Sequence, residues 1–270
     1  MDVVAGPDAL GSPVEPSVID DFFRDGYARL GRRFDEPYLR KLRGRADDLM
    51  LGRVVHEGMF FQHDSPTGRY EDLVYGKGYV GPSLSYRKLE RLELDPLFRA
   101  HIEHPVFARV VGQLIPGAAS IYRASLFNKA ADGGMRLPWH QDGGRFWGVE
   151  PAPFVQMWTA LDDCGPDAGC LVVVPGSHKA GLASPEGGVV QESSLAACPV
   201  EPVALPAVAG EVMLVHNHLW HCAPANRSGH PRRTLSVCYM TADTRCLRKR
   251  GTPRQFVRVF AATPASETSP

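Results

Sequence analysis

GEVMLVHNHLWHCAPANRSGHPRRTLSVCYMT, residues 210–241, changes character twice. Apolar runs with strand-like composition, GEVMLVH (210–216) and RTLSVCYMT (233–241), flank a segment punctuated by Pro, Asn and Gly. That is the pattern of two strands and their connection. The connection and its edges carry His216, His218, His221 and His230. Upstream, SIYRASLFN (120–128), PFVQMWTAL (153–161) and CLVVVP (170–175) repeat the strand-like pattern between Gly, Pro and Asp clusters. From Ala119 to about residue 245 the chain therefore reads as a β-rich half.

The preceding residues carry a helical period. In SVIDDFFRDGYARL (17–30), Val18, Phe22, Phe23 and Tyr27 fall near helical spacing behind Ser17 as N-cap. PYLRKLRGRADDLML (37–51) repeats the pattern. DPLFRAHIEHPVFARVVGQLI (95–115) turns Leu97, Ile102, Val106, Val110 and Leu114 toward one core before Pro116 and Gly117 stop it. Gly52 to Tyr86 breaks into short pieces between Gly and Pro, as a lid or binding wall does. Residues 1–15 and 263–270 have no periodicity and read as flexible tails.

Composition narrows the class. With 44% hydrophobic and 22% charged residues the chain can bury a core, and 270 residues suit one large β domain with helical additions. Thirty basic side chains against thirty acidic ones create no field for nucleic acid or an anionic membrane, so the expected partner is a small molecule. No run approaches the ~20 apolar residues of a membrane span and the start lacks a signal-peptide pattern, so a cytoplasmic location is expected. Oligomeric state is not legible. Cys164, Cys170, Cys198, Cys222, Cys238 and Cys246 form no CxxC pair and are expected as free thiols, with Cys222 the one to test for redox sensitivity.

The chemistry lies in PWHQDGG (138–144). On an extended backbone His140 and Asp142 project to the same side, and Gly143 and Gly144 leave room for a ligand. A distant His would complete the facial triad of non-haem Fe(II) enzymes, which keeps three octahedral positions open. The four downstream histidines are the candidates. If Arg232 begins a strand antiparallel to the segment ending at His221, its guanidinium lies near the metal and can clamp the far carboxylate of a dicarboxylate.

PWHQD (138–142), WTALDDCGPDAGCLVVVPGSHKAG (158–181), GEVMLVH (210–216) and HCAPANRSGHPRR (221–233), with FFRDGYARL near the start, occur in the order seen in the phytanoyl-CoA dioxygenase family, which the chain resembles over residues 17–245. The resemblance implies a mainly β fold with flanking helices, built on a double-stranded β-helix (jelly-roll, cupin-like) core at 119–245 within a single oxygenase domain. It implies His140, Asp142 and His221 as Fe(II) ligands, Arg232 on the distal carboxylate of 2-oxoglutarate, and Trp158 packed against that cosubstrate. Ser125 and Asn128 are further cosubstrate candidates. Arg145, Phe146, Trp147 and Gln156 are substrate candidates.

Many relatives carry Ser where this chain has Ala223, which removes one cosubstrate hydrogen bond. His216 and His218 are read as structural and Arg233 as a surface charge. The implied reaction oxidises a small-molecule metabolite, by hydroxylation of an unactivated C–H bond, while 2-oxoglutarate and O2 become succinate and CO2. Relatives that halogenate replace the carboxylate ligand by a small residue, so Asp142 favours hydroxylation. Family members act on many small molecules, so the resemblance selects no substrate. The competing readings are a non-catalytic cupin-like protein that binds a metal or small molecule, and a zinc hydrolase, for which no recognisable base spacing is present.

Overall fold

A computed structural model of the chain describes residues 15–76, 78–131, 134–249 and 252–262. Apart from Glu15, both stretches read as tails lie outside the described residues.

Helix α1 (Pro16–Asp25) begins one residue before the expected cap. Proline at the first helical position has no N–H to satisfy and a φ already suited to the helix, so Ser17 falls inside it. Gly26, at φ +83°, ends α1 and its N–H bonds Phe22 O. Tyr27 therefore opens strand β1 (Tyr27–Arg32) instead of continuing the helix. Helix α2 (Glu36–Met50) is capped by Asp35, whose Oδ1 accepts from Tyr38 N at 2.9 Å, and it buries Leu39, Leu42, Ala46 and Leu49. The expected loop region instead contains a hairpin, β2 (Phe60–His63) against β3 (Tyr86–Glu90), which joins the main sheet. The single helix expected over 95–115 is two, α3 (Pro96–Ile102) and α4 (Pro105–Leu114). Pro105 cannot donate to a continuing helix, and His104 Nδ1 accepts from Val106 N to start the second.

The remaining strands are β4 (Ala119–Lys129), β5 (Leu137–Gln141), β6 (Val149–Glu150), β7 (Val155–Ala160), β8 (Leu171–Val173) and β9 (Gly188–Val189). They continue as β10 (Val203–Leu205), β11 (Glu211–His216), β12 (His221–Ala223), β13 (Arg232–Thr241), β14 (Arg245–Cys246) and β15 (Val257–Phe260). An eight-stranded sheet runs β1-β11-β7-β13-β4-β3-β2, with β15 also on β4. A five-stranded sheet runs β10-β8-β12-β5-β9, and β14 pairs with β6. Their packing is the expected double-stranded β-helix, a cupin-like jelly roll. It extends beyond 119–245, because β1, β2, β3 and β15 are taken into the larger sheet.

Alternation along the strands separates two environments. Leu126, Met157, Leu235, Val237 and Tyr239 face outward and pack with Leu39, Leu42, Leu49, Phe107 and Val110 of the helices. Trp158, Leu171, Val173, Met213 and Val215 pack between the two sheets. Arg232, Thr234, Ser236, Gln156 and Trp158 turn inward and line a cavity. Arg233 turns away from Arg232, as alternation requires, but it is not a free surface charge. Its guanidinium bonds Asp162 at 2.8 and 3.0 Å and Asp47 of α2 at 2.8 Å, tying helix to sheet. Among the described residues no helix is long and apolar enough to cross a membrane.

Candidate active site

His140 on β5 and His221 on β12 are direct cross-strand partners, with ring centres 4.0 Å apart. Asp142 follows β5 and is held there by its N–H, which donates to Asn217 O at 2.8 Å. Gly144, at φ +80°, lets the segment at Glu186–Gly187 close over the turn, since a Cβ there would meet that backbone at 2.3 Å. One ligand atom from each of His140, Asp142 and His221 lies within 4.8 Å of the others.

Both imidazoles are oriented by backbone. His140 Nδ1 lies 2.9 Å from Pro138 O and His221 Nδ1 lies 2.8 Å from Leu219 O. A carbonyl oxygen only accepts, so each Nδ1 carries the proton and each Nε2 keeps its lone pair for a metal. Burial, then the neighbouring His221, holds the His140 pKa down at about 3, so this ring is neutral at ordinary pH. Burial alone would raise the Asp142 pKa, but Arg123 and the two imidazoles hold it well below the usual carboxylate range. Arg123 Nη2 donates to Asp142 Oδ1 at 3.0 Å and Gln156 Nε2 donates to Oδ2 at 2.6 Å. Ser236 Oγ in turn donates to Gln156 Oε1 at 2.7 Å. Two imidazole nitrogens and a fixed carboxylate, all on one side, fit a divalent iron.

A cavity open to solvent on one side lies beside the triad. Tyr70, Arg87, Lys88, Phe127 and Trp158 form part of its wall. Arg232, the first residue of β13, pairs in register with Lys129, the last of β4, and both are buried. Arg232 donates to Gly169 O, to Ala168 O at 3.5 Å and to Thr234 Oγ1 at 3.3 Å. Lys129 Nζ donates to Met135 O at 2.5 Å and Ala223 O at 3.3 Å. Both side chains bond neutral acceptors, and burial followed by Arg232 pushes the Lys129 pKa down to about 7.

The structure brings His140, Asp142, His221, Arg232, Trp158 and Gln156 to one cavity. Gln156 is committed to Asp142 and Ser236. Ser125 is fully buried, its Oγ has no hydrogen-bond partner, and it is not part of the cavity wall. Asn128 contributes to the wall, but its Nδ2 donates to Leu84 O and Tyr86 O at 2.9 and 2.7 Å. Arg145 and Phe146 lie outside the cavity: Arg145 pairs with Glu186 at 3.3 Å, and Phe146 is 72% exposed. Trp147 is buried against Tyr122, also away from the cavity wall. His216 and His218 pack in a separate histidine group with His178. Cys222 is a free thiol like the other five, pushed up to about 12 by burial, so little thiolate is available for oxidation.

Sequence reading missed Arg123, Lys129, Arg87, Lys88 and Tyr70. The available signal was a charged residue inside an otherwise apolar run, as Arg123 and Lys129 are in SIYRASLFNK.

The jelly roll and the donor set fit a non-haem iron oxygenase. Known proteins point the same way. The chain is 28% identical over 240 residues to a probable phytanoyl-CoA dioxygenase of Caenorhabditis elegans, covering 82% of this chain and 73% of that one. The fold recurs in SnoK, a non-heme alpha ketoglutarate dependent carbocyclase from nogalamycin biosynthesis, at TM-score 0.69, 20% identity and coverage of 92% and 100%. It recurs in EctD from S. alaskensis, solved with 2-oxoglutarate and 5-hydroxyectoine, at TM-score 0.66, 23% identity and coverage of 90% and 86%. The phytanoyl-CoA dioxygenase (PhyH) family matches residues 22–234, and the chain belongs to that family of Fe(II)- and 2-oxoglutarate-dependent oxygenases.

Proposed function

We propose that the protein hydroxylates an unactivated C–H bond of a small-molecule metabolite, using Fe(II), 2-oxoglutarate and O2. The observation that carries this reading is the convergence of three ligand atoms within 4.8 Å, with both histidine Nε2 atoms left free by backbone-bound Nδ1 atoms. His140 Nε2, Asp142 and His221 Nε2 would hold the iron. Bound Fe(II), with 2-oxoglutarate and O2, supplies the oxidation: one oxygen atom enters the C–H bond, the other leaves in succinate, and CO2 is released.

The protein's own groups bind and orient. Arg232 and Lys129 present two adjacent buried cations whose hydrogen bonds go to neutral oxygens, so a carboxylate placed there gains two charge-assisted partners. Trp158 walls the cosubstrate against the sheet. Arg123 and Gln156 occupy both oxygens of Asp142 and keep the carboxylate from rotating. Tyr70 and Phe127 remain to meet the substrate, beside Arg87, which bonds Gln62 and Asp64, and Lys88, which pairs with Glu90.

Anaerobic titration of the metal-free protein with Fe(II) and then 2-oxoglutarate tests the reading. The expected result is the weak visible charge-transfer absorption of the chelate, lost in Asp142→Ala and weakened in Arg232→Ala. Metal binding without that absorption would leave a non-catalytic cupin-like protein.

A further inference from the structure

A series of planar side chains in mutual contact leads from Arg254 to the Asp142 carboxylate. Opposite β13, strand β4 carries one extra residue: Cys238 pairs with Arg123 and Tyr239 with Ile121, which leaves Tyr122 without a cross-strand partner. A bulge of this kind breaks the in-out alternation and re-aims a side chain. Tyr122 and Arg123 consequently both reach Trp147. The Tyr122 ring stacks on it at 4.1 Å and 5°, and the Arg123 guanidinium sits 4.8 Å from the ring centre. Trp147 is therefore the side chain that Tyr122 and Arg123 have in common. Arg254 covers Tyr122 at 4.7 Å, and its Nη2 donates to the Tyr122 carbonyl.

The contacts run from Arg254 to Tyr122, from Tyr122 to Trp147, from Trp147 to Arg123 and from Arg123 to Asp142. The stack has a choice to enforce. Arg123 also lies 3.7 Å from Glu90 Oε1, a second carboxylate that Lys88 already holds. Seating on Trp147 fixes the guanidinium with Nη2 toward Asp142. Arg254 lies past residue 234, where the family match ends.

We infer that Arg123 is a positioning residue for Asp142, and that the Arg254–Tyr122–Trp147 stack behind it sets how firmly the site holds its metal. This rests on the metal-site reading above. Calorimetric titration of the metal-free full chain with Mn(II) tests it without turnover, with thermal unfolding of every variant alongside. Arg123→Ala should weaken Mn(II) binding roughly 10- to 100-fold, the range for losing a partner that orients a ligand. Arg123→Lys should recover only part, because an ammonium restores the charge but neither the planar stack nor the fork. Trp147→Leu and the exposed Arg254→Ala should shift affinity in the same direction, and Trp147→Phe should stay close to the unaltered chain.

Unchanged affinity in a folded Arg123→Ala protein, with binding still abolished by Asp142→Ala, overturns the positioning role. Weak binding in Arg123→Ala but unaltered binding in Arg254→Ala and Trp147→Leu overturns the stack. Failure of the unaltered chain to bind Mn(II) overturns the metal site itself, and the inference with it.

Discussion

At the scale of single residues, Asp142 is held on both sides, Oδ1 by the Arg123 guanidinium and Oδ2 by the Gln156 amide. His140 and Asp142 were legible because two residues of extended chain put both side chains on one face, and His221 was reached through its motif. Arg123 was not, because its aim depends on a bulge opposite Cys238 that no local pattern announces. Arg145 and Phe146 were misplaced for a related reason: proximity to Asp142 in sequence does not place them in the cavity when a short turn carries them to the surface. Two predictions belong here. Gln156→Leu removes the donor to Asp142 Oδ2, so Fe(II) affinity should fall about 10-fold, read by anaerobic titration. Arg232→Lys exchanges a fork for a point charge, and the KM for 2-oxoglutarate should rise roughly 10- to 100-fold, the equivalent of one charged hydrogen bond at about 1.5–3 kcal/mol. An unchanged KM would remove Arg232 from the cosubstrate site.

Secondary-structure elements were legible wherever the hydrophobic period was long. The five long runs expected as strands all contain strands, and α2 departs from its expected span by one residue at each end. Hairpin β2–β3 was not foreseen, because its strands are short and separated by Gly- and Pro-rich text, and they are fixed by pairing with β4, not by their own pattern. Helix α2 owes its place to a fully buried stripe, so Leu42→Ala should cost about 2–5 kcal/mol in denaturant unfolding. The β4–β13 pairing makes a prediction about pH. Burial first, then Arg232, lowers the Lys129 pKa from 10.5 to about 7, with Asp64 opposing them. Between those values the unfolded chain binds a proton that the folded one releases, so this group lowers stability fully below pH 7 and progressively less as pH rises toward 10.5. A bound carboxylate favours charged Lys129, so 2-oxoglutarate affinity should fall as pH rises above about 7, with proton uptake on binding. Lys129→Met should flatten that slope, and a slope that persists would assign it elsewhere.

For the molecule as a whole, buried imidazoles set the acid limit. His101, between Tyr38 and Thr159, and His216, among Phe22, Phe154 and His178, are both held near a pKa of about 3 by burial first. The unfolded chain protonates these rings at about 6.5, so their contribution to stability is complete above that pH and is lost as pH falls toward 3. The melting temperature should therefore drop between pH 6.5 and 4, and His101→Gln should drop less steeply; parallel curves would exonerate His101. The pairings that build the site also dictate when it can exist. Ser236 meets Gln156 across 80 positions and Lys129 meets Ala223 across 94. Contacts so distant close late and slowly. During synthesis on the ribosome the nascent chain can own no triad before β12 has emerged and no paired cations before β13 has followed, so a growing chain that holds the metal must already have been translated past His221.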